Sequence, residues 1–196
     1  APRERPPARP RGGARVAAPN DSHGGAIDVR GDSEPVIRRC VFSNNTASGG
    51  TAGGGAVWCG RARIEDCTFV GNVAGESGFT NGSGGAVRCA DATIERCLFR
   101  SNHAWGYEAA SGGAVCAASA TLRDCTFENN RAECPGAPAG GAVADRGHPV
   151  ITGCVFRANR VSAHYFYASG GAVLAGSGSV TGCLFLGNAA TCNQGP

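Results

Sequence analysis

The sequence predicts an all-β solenoid, a parallel β-helix of about six coils. Three observations lead there. A Gly-Gly-Ala-(Val/Ile) block recurs, starting at Gly24, Gly54, Gly84, Gly112, Gly140 and Gly170 in steps of 28 or 30 residues. A Cys-x-Phe-x-x-Asn block follows every one of them. The apolar residues of that block pair at a spacing of two, which is strand periodicity, and the unit is too short and glycine-rich for two helices.

Taken in chain order, residues 1–20 come first, with five Arg and five Pro against one Glu. They read as a basic, flexible Pro/Arg segment, and the β-helix domain is expected over residues 21–196. In each coil the Gly-Gly pair supplies a tight corner, where φ above zero is expected. An aliphatic column follows: Ile37, Ile64, Ile94, Leu122, Ile151 and Val180. Three residues on stands the cysteine column, Cys40, Cys67, Cys97, Cys125, Cys154 and Cys183. A spacing of three switches the inward parity, so the chain must bend there. Two residues further come Phe42, Phe69, Phe99, Phe127, Phe156 and Phe185. Stacking coils about 4.8 Å apart places each residue over its own kind, so Cys and Phe are expected to fill the interior as ladders. Each buried Phe is worth roughly 2–3 kcal/mol. Asn45, Asn72, Asn102, Asn130, Asn159 and Asn188 form the last column. An Asn at a turn accepts an unusual backbone conformation, and its amide can bond the copy in the next coil. Each coil is expected to hold two or three short strands.

Together, GGA(I/V/L) and FxxN resemble the repeats of the chlamydial polymorphic outer-membrane proteins and related bacterial and protist surface proteins. The resemblance runs from Gly24-Gly25-Ala26-Ile27 with Phe42-Ser43-Asn44-Asn45 to Gly170-Gly171-Ala172-Val173 with Phe185-Leu186-Gly187-Asn188. It implies a right-handed, single-stranded parallel β-helix, a handedness that the general crossover preference also favours. In that family such repeats form a secreted, adhesive passenger ahead of a C-terminal translocation barrel. No barrel-like alternation follows Cys192, so the resemblance is to part of a passenger. The chain has no Met, not even at position 1, and no signal-peptide apolar region, which reads as a processed chain or an excised piece.

Outside the ladders, Arg38, Glu65, Glu95 and Arg123 stand two residues before the cysteines, and Arg39, Asp66, Arg96 and Asp124 one before. Charges that alternate between coils read as an interstrand array worth about 0.2–1 kcal/mol per pair. Glu65 and Glu95 are stacked acids, the one arrangement that suggests a glycosidase-like pair, but neighbouring arginines are expected to neutralise them. Cys59 and Cys89 occupy one position of adjacent coils at a separation compatible with a disulfide. Cys134 and Cys192 share a column two coils apart, about 9–10 Å and too far to bridge, which leaves each open to another partner, Cys116 included. Zinc-type spacing is missing, and nothing in the sequence places His103 or His164 beside Cys116 as a nucleophile pair, so no catalytic residue, metal site or cofactor is assigned. The sequons at Asn20, Asn44 and Asn81 matter only in a eukaryotic secreted chain.

The segments between FxxN and the next Gly-Gly are the least repetitive. They carry Phe79, Trp105, Tyr107, Tyr165, Phe166 and Tyr167, six of the aromatics outside the Phe column. Since the loops leave the same corner, they are expected to line one edge, a candidate surface for glycans or other proteins. The alternative is that these loops bury their own aromatics. The column Val41, Thr68, Leu98, Thr126, Val155 and Leu184 is too mixed for an ice-binding threonine array but suits lateral packing against a neighbour. Exposed strand edges at the ends suggest capping or end-to-end self-association. A net charge of +3 with no basic stripe in the folded part argues against nucleic acid, and no apolar run reaches the roughly 18 residues of a membrane span. The expected function is therefore a non-enzymatic extracellular or cell-surface scaffold, adhesin-like or structural. A carbohydrate-active β-helix enzyme, a polysaccharide lyase or glycoside hydrolase, is the rival.

Overall fold

A computed structural model describes residues 15–17, 21–31, 33–75 and 81–193. Phe79 and Asn20 lie outside these residues, as does most of the segment 1–20. Strands recur with the sequence repeat and pair only in parallel, each with its counterpart one coil away, in sheets of seven, four, ten and six strands among the described residues. The chain is an all-β parallel solenoid of about six coils.

One coil shows the path. Thr51–Gly53 lies in the four-stranded sheet, Val57–Glu65 in the ten-stranded, Thr68–Val70 in the six-stranded and Val73–Ala74 in the seven-stranded. This coil therefore has four strands rather than the two or three expected. The extra one arises because residues just before the Gly-Gly corner also pair between coils, Ala52 opposite Gly82 and Gly82 opposite Ala110. Arg15–Ala17 is a strand, with Val16 opposite Ala47, so it extends the seven-stranded sheet past the first full coil.

The corners are left-handed residues, and they too stack in columns. The first glycine of each pair has φ between 52° and 68°. At Gly54 an added Cβ would also collide with the Val57 carbonyl oxygen, so glycine is required twice over. The second glycine is required by proximity: a Cβ on Gly55 would strike the Gly85 carbonyl of the next coil. The bend that the three-residue spacing demanded lies just before each cysteine, at Arg39, Asp66, Arg96, Asp124, Gly153 and Gly182, with φ of 51–64°. A third bend falls one residue before each column asparagine, at Asn44, Gly71, Ser101, Asn129, Ala158 and Gly187. This corrects the expectation that the column asparagine itself takes the unusual conformation. Its side chain is needed inside the coil, and the residue before it makes the turn.

The interior is filled as stacked columns. Phe69, Phe99, Phe127 and Phe156 are fully buried, as are Ile64, Ile94, Leu122 and Ile151. Successive Phe rings from Phe42 to Phe185 are nearly parallel, 4.8–4.9 Å between centroids, the spacing that coil stacking imposes. Column cysteines Cys67, Cys97, Cys125 and Cys154 are buried too. Cys97 Sγ accepts the backbone N–H of Cys67 and donates to the Glu95 carbonyl. Asparagines form a continuous ladder. Asn102 Oδ1 accepts both the backbone N–H and the Nδ2 of Asn72, while Asn102 Nδ2 donates to Phe69 O and to Asn130 Oδ1. A buried amide is thereby fully satisfied without water.

Candidate functional site

The loop between the Asn column and the next Gly-Gly corner is the candidate contact surface. In the fifth coil its backbone is anchored: the N–H groups of His164 and Tyr165 both donate to Pro135 O, and Ser169 N–H donates to Pro138 O. Cys192 Sγ donates to Phe166 O at 2.6 Å from the following coil. On this fixed backbone Tyr165, Phe166 and Tyr167 are 71%, 61% and 81% exposed. Three consecutive aromatics so exposed form an aromatic contact surface carried on an anchored backbone. A shallow groove runs beside them, lined by Ala168, Ala190 and Cys192.

The edge is not continuous, however. Trp105 closes the strand His103–Trp105 opposite Glu133 and is half-buried, while Tyr107 beyond it is exposed. The intervening fourth coil brings Pro135, Gly136, Ala137 and Pro138 to this edge instead of aromatics. The structure thus gathers Tyr165, Phe166 and Tyr167 into one patch and sets Trp105 and Tyr107 two coils away. Alignment of the loops by corner made the edge legible; differing loop sequences decide which coils populate it.

The stacked acids sit in a cage of arginines. Glu65 is buried and pairs with Arg38 at 3.1 Å, Arg96 at 3.5 Å and Arg63. Glu95 pairs with Arg123 at 2.9 Å, Arg96 at 3.3 Å and Arg63 at 3.9 Å. Arg123, hydrogen-bonded to Glu95 and seconded by Arg96, holds that carboxyl below its ordinary range, and Arg96 does the same to Asp66. A glycosidase general acid needs the opposite, a proton retained near neutrality. Among the described residues no group of three or more His, Cys, Asp or Glu is placed to hold a metal.

Two features escaped the sequence reading. Asp145 is fully buried, in the column that holds Cys89 and Ala117 in earlier coils. Its Oδ1 accepts Gly147 N–H at 2.9 Å, its Oδ2 has no partner, and burial raises its pKa. Aligning the columns three residues past each Gly-Gly-Ala would have exposed this acid among apolar neighbours. The second is the asymmetry of the ends. In the last coil Val180, Leu184, Phe185 and Leu186 are 40–50% exposed, whereas Ile37 and Phe42 of the first are only 7% exposed.

Cys134 and Cys192 share a column with Ala163 between them. Asn44 is exposed at a left-handed bend, and Asn81 Oδ1 accepts Ala109 N–H. Val41 and Leu184 of the lateral column are exposed, its inner members half-buried. No helix among the described residues is long and apolar enough to cross a membrane. The family model described as "Right handed beta helix region" matches residues 17–143 and again 59–195. Neither the curated proteins nor the solved structures yielded a match.

Proposed function

The chain belongs to the right-handed β-helix family, and from that premise we propose that it is a non-enzymatic extracellular scaffold whose exposed loop aromatics contact glycans or other proteins. The observation that carries this reading is the Tyr165–Phe166–Tyr167 patch, held out on a backbone that the neighbouring coils on either side pin in place. A soluble fold has no packing use for three such side chains in solvent, whereas a recognition surface does. The GGA and FxxN resemblance to chlamydial surface proteins supports display at a cell surface.

The test is binding of the purified chain to a glycan and extracellular-matrix panel. Beside it run a Tyr165→Ala/Phe166→Ala/Tyr167→Ala variant and a Trp105→Ala/Tyr107→Ala variant, with folds checked by circular dichroism. Binding lost in the first variant alone supports recognition at this patch. Binding that survives both, or no binding by the parent chain, overturns the loop assignment and leaves a structural subunit whose partners are copies of itself. For that case Leu98→Lys and Leu184→Lys should disrupt lateral association. The rival polysaccharide-acting enzyme predicts turnover of a polysaccharide that Glu65→Gln and Glu95→Gln abolish. The arginine cage around both carboxylates speaks against it.

A further inference from the structure

Cys59 and Cys89 stand directly opposite one another in Val57–Glu65 and Val87–Glu95, the two nine-residue strands. Residues so paired lie about 4.8 Å apart, within the Cα separation of about 4.4–6.8 Å that a disulfide spans. Their sulfurs are 3.0 Å apart, and both are present as free thiols. The column cysteines are engaged differently. Cys67, Cys97, Cys125 and Cys154 each turn the S–H toward a carbonyl two residues back, whereas the hydrogen bond of Cys59 and Cys89 is to each other. Both thiols also line a hollow with Trp58, Arg88, Cys116 and Arg146, whose lining among the described residues holds two guanidinium groups and no carboxylate. Such a hollow favours an anionic visitor.

We propose that Cys59 and Cys89 form a dithiol–disulfide site, oxidised by exchange with an anionic low-molecular-weight disulfide of the glutathione class that enters beside Arg88 and Arg146. Either thiol can donate across the shared contact; once Cys59 is ionised the Cys89 S–H donates to it, which lowers the Cys59 pKa, while the same contact and burial raise that of Cys89, so Cys59 reacts first. The Cys59 thiolate attacks one sulfur of the disulfide. A Cys59–S–SR bond forms, the S–S bond of the reagent breaks, and the first thiolate leaves and takes up the proton that Cys59 gave up. Cys89, deprotonated by solvent, then attacks the Cys59 sulfur and expels the second thiol. Two protein thiols are oxidised by two electrons, and one disulfide is reduced to two thiols. The product staples the second and third coils across the longest strand pair.

The full chain is equilibrated with reduced and oxidised glutathione, alkylated and digested with trypsin. Cleavage at arginine places Cys89 alone in peptide 89–96 and Cys59 with Cys40 in peptide 40–61. The expected product joins these peptides, with fragmentation placing the bond at Cys59, and dithiothreitol reverses it. Cys116→Ser should keep the cross-link and Cys59→Ser should lose it, each with the parent circular dichroism spectrum. Oxidation should raise Tm by about 10 °C in the parent and not in Cys59→Ser. Cys59 and Cys89 both alkylated after oxidation, or Cys89 joined to Cys116 or Cys40 instead, would overturn the proposal.

Discussion

Replacing Asn102 by Ala should destabilise the solenoid by about 5–7 kcal/mol. The side chain is fully buried and makes four hydrogen bonds: two accepted from Asn72 and one donated to each of Phe69 O and Asn130 Oδ1. Each typical bond contributes about 1 kcal/mol net, and a buried donor left without a partner costs about 1–3 kcal/mol. Truncation leaves that orphan at the backbone N–H of Asn72, itself fully buried. Asn188→Ala is the matched comparison. It removes the same kind of bonds, to Asn159 and Phe156 O, but at the half-exposed last coil, where water replaces them. Its cost should stay near 1 kcal/mol. Urea unfolding followed by circular dichroism gives both numbers, and hydrogen exchange at Asn72 reports the orphaned amide directly. Because stacked coils can fray from the ends, exchange also separates local from global loss. If Asn102→Ala costs no more than Asn188→Ala, burial is not what makes the ladder valuable, and the reasoning fails.

Phe127→Ala should cost about 4 kcal/mol, since the ring is fully buried between two others, while the 46% exposed Phe185 should cost about 1 kcal/mol; equal losses in thermal melts would contradict the difference in packing. Ala158 holds φ of 52° with a Cβ, so Ala158→Gly should stabilise by about 1 kcal/mol. Gly153→Ala should destabilise, because its φ is 64° and the new Cβ would meet Asp124 Oδ1; the opposite order in chemical denaturation would count against strained corners. Asp145 has a folded pKa raised above 3.8 by burial, with Asp91 adding to the rise and His148 opposing it. The folded state therefore holds the proton longer than the unfolded chain does, and stability falls as pH rises from 3.8 through the folded value. Relative to the parent, Asp145→Asn should gain stability between pH 3 and pH 7, and a difference constant with pH would refute the assignment.

Much of this architecture was legible because a solenoid is built by translation. A column such as Phe42, Phe69 and Phe99 follows from spacing alone once coils stack, and so do the aliphatic and asparagine columns. The glycine corners and the bend ahead of each cysteine followed from parity, which needs no knowledge of neighbours. Position within the third bend was misplaced by one residue, because spacing marks that a turn occurs and not which residue carries the positive φ. The loops resisted for a related reason. They do not repeat, so nothing one-dimensional could say that Pro135 and Pro138 interrupt the aromatics or that Pro135 O anchors Tyr165.

What the sequence by itself determined was therefore the repeat: the parallel solenoid, its coil count, and which residue types stack on which. Tertiary structure alone decided the chemistry at particular members of those columns. Arginines from four coils converge on Glu65 and Glu95, and Arg123 holds the Glu95 carboxyl below its ordinary range. Asp145 is protonated more readily than an ordinary carboxyl because its place in the column is interior. Cys59 and Cys89 turn their sulfurs on each other, whereas Cys67 and Cys97 of the cysteine column turn theirs to carbonyls two residues back. Translation fixes where a residue stands. Its exposure, partners and proton affinity depend on the low-dielectric surroundings and backbone groups that neighbouring coils bring to it, and these differ from coil to coil.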